Sequence, residues 1–161
     1  MTCLYIADDK KQVPRFTVCF RCGICCSDHQ AILSVAEGQR IADKLEITPD
    51  DFRNRYTDKR WPGIKNLLLR KRNGSCVFLE RVKGSKVTRC QIHAFRPLSC
   101  IDWISSPYRR ECQKGLARNW GLSVTLAGSV EGSSERVQEF CRLLESLATC
   151  NGQEISQYNT D

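Results

Sequence analysis

Long apolar runs are missing from this chain. No segment approaches the roughly 20 apolar residues that a membrane-spanning helix needs. The first residues, Met1 to Gln12, are interrupted by Asp8, Asp9, Lys10 and Lys11 and so lack the apolar core of a secretory leader. No membrane partner is expected, and the chain is read as cytoplasmic. Histidine is scarce, with only His29 and His93 in 161 residues. No glycine-rich nucleotide loop occurs, and no Ser-His-Asp or Cys-His order sets a nucleophile beside a base. Aromatic residues are 8% of the chain and do not interleave with the basic ones, which argues against a stacking platform for nucleic acid. The adjacent carboxylates Asp50 and Asp51 read as a helix start, not an acid/base dyad. The radical-SAM spacing C-x3-C-x2-C is absent.

What the chain does have is cysteine. Four lie within eight residues, in the run Cys19-Phe-Arg-Cys22-Gly-Ile-Cys25-Cys26. Thiolates packed this closely repel one another and oxidise readily. A soft or borderline metal removes both problems by taking up the charge and fixing the sulfurs. Four more follow at wide spacing, Cys76, Cys90, Cys100 and Cys112, which makes eight, enough for two four-thiolate sites. Cys3, Cys141 and Cys150 stand outside that set. The total of 11 is odd, so a complete disulfide framework would strand one thiol, and no secretory signal supports such a framework. Dense cysteines in a cytoplasmic chain point to metal or redox work. The net charge of +7 is weak support for nucleic acid, because eight thiolates remove eight charges and two divalent ions restore four, leaving +3.

The length suits one domain with a modest core. Residues 1–15 form a lead-in in which Cys3-Leu4-Tyr5-Ile6 reads as an edge strand. Residues 16–121 form the cysteine-cluster domain. Residues 122–150 are a linker and a C-terminal helix packing on it, and 151–161 are a polar tail. Ser34 and Glu37 have capping-box spacing, with Ile41, Ala42 and Leu45 on one face behind them. Thr48-Pro49-Asp50-Asp51 starts a second helix that turns Phe52 and Tyr56 inward. Leu67-Leu68-Leu69 reads as a strand, Asn73-Gly74 as a hairpin turn, and Cys76 to Leu79 as the return strand. A turn at Lys83-Gly84-Ser85 leads into Val87 to Ile92, so Cys76 and Cys90 lie on neighbouring segments of a small meander. Pro97 keeps Arg96 out of helix, and Pro107 breaks the chain before Cys112. The stretch around Gly128 to Ser134 reads as the linker. A last helix spans about Ser134 to Ala148, with Val137, Phe140, Cys141, Leu144 and Leu147 on one face. The fold class is α+β: a cysteine-rich loop, a short antiparallel β-meander and three to four covering helices, stapled by metal.

The cysteine array, the Ser34/Glu37 helix, Cys76-Val-Phe-Leu79, Cys90-Gln-Ile92 and Arg96-Pro97-Leu-Ser-Cys100 occur in this order, and together they resemble the YkgJ-type cysteine-cluster family. These are small bacterial and archaeal proteins taken to carry a zinc- or iron-chelating CxxCxxCC domain, and flagellin lysine N-methylases contain a related domain. The resemblance covers about residues 16 to 112. It implies metal ligation by Cys19, Cys22, Cys25, Cys26, Cys76, Cys90 and Cys100, with Cys112 at the family's variable later position. His93 stands where the family usually has Tyr, and Ile101 where it has Arg.

A C-x2-C-x2-C triplet with a remote fourth cysteine is how ferredoxin-type clusters are held, whereas structural zinc usually takes paired knuckles. The cofactor is therefore an iron–sulfur cluster or zinc, with the spacing slightly favouring the cluster. His29, at C-x3-H from Cys25, reads as a surface histidine, and His93, at C-x2-H from Cys90, as a packing or hydrogen-bonding residue. Cys141 fits a helix face as a small core residue. The basic residues Arg70 to Arg72, Lys83, Lys86 and Arg89 read as a charged hairpin edge. The leading expectation is a metal-binding protein with a redox, metal-handling or accessory role, which leaves room for a protein partner. The alternatives are a protein-modifying enzyme related to the flagellin N-methylases and a zinc-stabilised nucleic-acid-binding module. Substituting Cys19, Cys22 or Cys25 by Ser is expected to lower bound metal and destabilise the fold, because metal binding is folding free energy. The same change at Cys3, Cys141 or Cys150 is expected to leave metal content unchanged, as metal analysis of the purified variants will show.

Overall fold

The computed structural model describes residues 18–61 and 65–155. The strand expected at Cys3 to Ile6, the Pro62-Gly63 break and the end of the tail lie outside them. Among the described residues there are six α-helices and four two-stranded antiparallel sheets, a mixed α+β architecture. The chain divides into two compact units. One runs from Cys25 to Trp103; the other comprises the chain up to Ile24 and from Ile104 onward.

In the Cys25–Trp103 unit, α1 (Ile24–Asp28) leads to β1 (Ile32–Ser34), α2 (Val35–Lys44) and α3 (Pro49–Tyr56). The expected capping box is present: Ser34 Oγ accepts from the Glu37 amide at 3.1 Å, and the Glu37 carboxylate accepts from the Ser34 amide at 2.7 Å. α3 starts as its sequence says, with Thr48 Oγ1 accepting from the Asp51 amide and Pro49 in the first turn. α2 packs on β1, on β2 (Asn66–Leu68) and on α3, whose Phe52 joins the same core. The core is Leu33, Ile41, Ala42, Phe52, Leu67, Leu69, Phe78 and Ile92, and the Tyr56 ring stacks on Phe78 at 4.7 Å.

The strands are paired differently from the expected meander. β2 pairs with β1, Leu67 opposite Leu33, instead of leading straight into a hairpin. The hairpin at Asn73-Gly74 is made of β3 (Lys71–Arg72) and β4 (Ser75–Cys76), with both turn residues at positive φ, 50° and 76°. A separate ladder joins β5 (Leu79–Arg81) to β6 (Thr88–Cys90), with Leu79 opposite Cys90. Leu67 and Leu69 are both buried, and the apolar β1 offers them a better surface than the charged Lys71-Arg72 edge. The long strand therefore breaks into short pieces, each following its own burial demand.

The other unit holds α5 (Arg110–Trp120), a hairpin of β7 (Ser123–Val124) and β8 (Val130–Glu131), and α6 (Ser134–Ile155). β8 lies in the stretch expected as a linker. α6 begins at the expected residue and runs past the expected end, with Phe140, Leu144 and Leu147 buried. Phe140 meets Phe20 and Trp120 edge-on, each at 5.3 Å between ring centroids. α5, which carries Cys112, has no counterpart among the helices expected from the sequence, where Pro107 breaks the chain just before it. The helix starts after that proline and stops at Gly121, whose φ of 60° is left-handed. Phe78 is 1% exposed, and Phe78→Ala is expected to cost about 3–5 kcal/mol. Urea unfolding of the metal-free protein, with unchanged slope and lowered midpoint, is the check.

Candidate metal centre

The array begins in an irregular loop. Arg21 and Gly23 both have positive φ, 54° and 77°, so the chain turns sharply before α1 starts at Ile24. Gly23 accepts this without the penalty a side chain would meet. Cys19 is exposed and Cys22 buried, whereas Cys25 and Cys26 are half-buried. The array falls across the two units. Cys19 and Cys22 belong to the unit that also holds Cys112, and Cys25 and Cys26 to the one holding Cys76, Cys90 and Cys100.

In the first of these units, Cys22 packs against α5. A methyl group on Gly115 would sit 2.5 Å from Cys22 Sγ, so only glycine lets the helix approach this closely. Cys112 is buried one turn earlier on α5, with its thiol 4.0 Å from Ser105 Oγ. Asn119 Nδ2, further along the helix, reaches the Cys22 carbonyl at 3.5 Å.

In the Cys25–Trp103 unit the sulfurs of Cys25 and Cys26 are 3.9 Å apart. The contact with Cys26, together with burial and the charge of Cys26, pushes the Cys25 thiol far above the ordinary range. Cys76 ends β4, Cys90 ends β6, and Cys100 sits on the short helix α4 (Leu98–Ile101). Burial, then the charges of Cys76 and Cys90, push Cys100 up to about 11, and burial raises Cys76 as well. The charges of Cys76 and Cys90 thus both disfavour a thiolate at Cys100. Without a cation such groups stay protonated; a metal ion reverses the balance by replacing the protons. Among the described residues, no three His, Cys, Asp or Glu side chains stand in metal-holding geometry. The donor set itself, all thiols, fits zinc or iron.

The two histidines do other things. His29 lies against the Trp103 ring at 5.0 Å. His93 Nδ1 is 3.2 Å from Arg96 Nη1, which also donates to the His93 carbonyl at 2.6 Å. A guanidinium only donates, so Nδ1 is the acceptor.

A family model named CxxCxxCC, described as "Putative zinc- or iron-chelating domain", matches residues 18–118. The chain belongs to this family. The match bears out the resemblance read from the motifs, and zinc or iron is the metal its description names. The matched span of the CxxCxxCC domain takes in Cys19 through Cys112 and leaves out Cys3, Cys141 and Cys150. No curated protein and no solved structure matches the chain.

One residue beside this CxxCxxCC site was only half legible. Glu37 was expected to cap its own helix. Its other carboxylate oxygen accepts from the Leu98 amide at 2.7 Å and so anchors the start of α4, two residues before Cys100. Ser99 Oγ donates to the Ile32 carbonyl at 2.6 Å, a second tie between α4 and β1. Burial works against ionising Glu37, but the Leu98 and Ser34 amides, the Ser34 hydroxyl and Arg40 outweigh it and hold its carboxyl below the usual range. A depressed carboxyl contributes stability above its unfolded value of about 4.3 and loses it as pH falls through the folded value. Glu37→Gln is therefore expected to cost about 0.5–2 kcal/mol at neutral pH and to flatten the acid side of the stability curve. Urea midpoints of the metal-free proteins from neutral to acid pH will check both.

Proposed function

We propose that this is a metal-binding cysteine-cluster protein that holds an iron–sulfur cluster or zinc in a redox, metal-handling or accessory role. The observation that carries this reading is the Cys19-x2-Cys22-x2-Cys25-Cys26 array followed by Cys76, Cys90, Cys100 and Cys112, all inside one family match. These eight cysteines are the proposed ligands, and the metal would staple the small α+β fold. The burial of Cys100 and its nearness to the charges of Cys76 and Cys90 support a cation beside it. The bound group would supply one-electron transfer if it is an iron–sulfur cluster, or a fixed cross-link if it is zinc.

The chain's own residues have a narrower task. They present thiolates and fix their separation. Eight thiolates make two closed sites, and a closed site has no open position for a substrate. That favours a redox or structural role over catalysis at the metal, with a protein as partner and the cytoplasm as location. Anaerobic purification followed by metal and sulfide analysis and an absorption spectrum tests the reading. The expected result is a brown, air-sensitive protein with a sulfur-to-iron charge-transfer band, which takes zinc when isolated in air. A colourless anaerobic preparation with stoichiometric zinc and no sulfide would exclude the cluster. A preparation with no metal at all would exclude the proposal.

A further inference from the structure

Two of the basic residues on the hairpins turn toward the cysteine segment. Ser27 follows Cys26 and Ser75 precedes Cys76, and their hydroxyls hydrogen-bond at 2.9 Å although 48 positions apart in sequence. Arg81, at the end of β5, donates one guanidinium nitrogen to Ser27 Oγ at 2.9 Å and to Ser75 Oγ at 3.4 Å. Lys71, opposite Cys76 in the β3–β4 ladder, donates its ammonium to the Ser27 carbonyl at 2.6 Å and the Asp28 carbonyl at 3.3 Å. Those carbonyls end α1, where no intrahelical donor is left for them. All these residues belong to the Cys25–Trp103 unit.

We propose that Lys71 and Arg81 are positioning residues for the metal centre, holding the Cys25–Cys26 segment against the strand that carries Cys76. The inference rests on the metal-binding reading above. Both cations tie residues that directly neighbour the proposed ligands, Ser27 after Cys26 and Ser75 before Cys76. Arg81 suits the role because one of its guanidinium nitrogens, carrying two N–H donors, reaches two hydroxyls at once, and Lys71 because a point charge satisfies the carbonyls of a helix end. Partners one shell beyond the ligands typically change metal affinity by about 10–100-fold when removed. A basic edge that serves only to keep hairpins from pairing would change it by nothing.

The test strips the full chain of metal under reductant and titrates it with Co(II) against a competing chelator. R81Q and K71Q are expected to bind as many ions as the unchanged protein but about 10–100-fold more weakly. Their thiolate-to-cobalt absorption should shift, while the urea midpoints of the metal-free forms stay the same. R81K should recover part of the loss. K83Q, which removes the same charge from an exposed turn of the β5–β6 hairpin, should bind like the unchanged protein. Affinities of R81Q and K71Q within about twofold of the unchanged protein would overturn the inference. So would a loss matched by equal destabilisation of the metal-free form with the cobalt spectrum intact, or an equal loss in K83Q. Failure of the unchanged protein to take up Co(II), zinc or iron is a separate result, which removes the metal-binding reading and this inference with it.

Discussion

Burying a thiolate costs free energy that a nearby cation returns, and the Cys25–Trp103 unit half-buries five cysteines, with Cys100 within reach of the charges of Cys76 and Cys90. That crowding makes sense of much else in the unit. The strands that bring Cys76 and Cys90 into place are two or three residues long, too short to hold themselves by ladder bonds alone. The polar ties concentrate where the cysteines are. Glu37 and Ser99 fix the helix of Cys100, and the Ser27–Ser75 pair joins the segment of Cys26 to that of Cys76. A centre that gathers ligands from distant parts of a chain needs each one held before the metal arrives, or the ordering entropy is lost at binding.

The unit's other half has a different logic. Phe52, Tyr56 and Phe78 form a layered aromatic contact, and Leu33, Ile41, Leu67 and Leu69 close the core around it. This apolar side sets the positions of β1, β2 and α2, and so of Glu37. The core thus acts on the candidate centre indirectly, through one carboxylate that accepts hydrogen bonds at two helix starts. In the second unit the equivalent link is steric. Gly115 leaves room on α5 for Cys22, one turn from Cys112.

The CxxCxxCC match and the geometry speak to different questions. The match says which metals the domain is described as chelating; the structure says to which unit each cysteine belongs. Cysteines adjacent in the array are assigned to different units, with Cys22 in one and Cys25 in the other.

Sequence by itself determined the chemistry and the local signals. Thiol density, odd cysteine count and spacing named the metal class, and Ser34, Glu37, Thr48, Pro49 and Asn73-Gly74 set caps and a turn, because these depend on neighbours within a few residues. Long-range choices were decided only by tertiary structure. β2 pairs with β1 and not with the Cys76 strand, since Leu67 and Leu69 bury better there. Likewise, nothing in the run Arg70 to Arg72 or at Arg81 distinguishes a cation in solvent from one aimed at Ser27. A charge pattern records what a residue carries, and only packing of segments dozens of residues apart fixes what it faces.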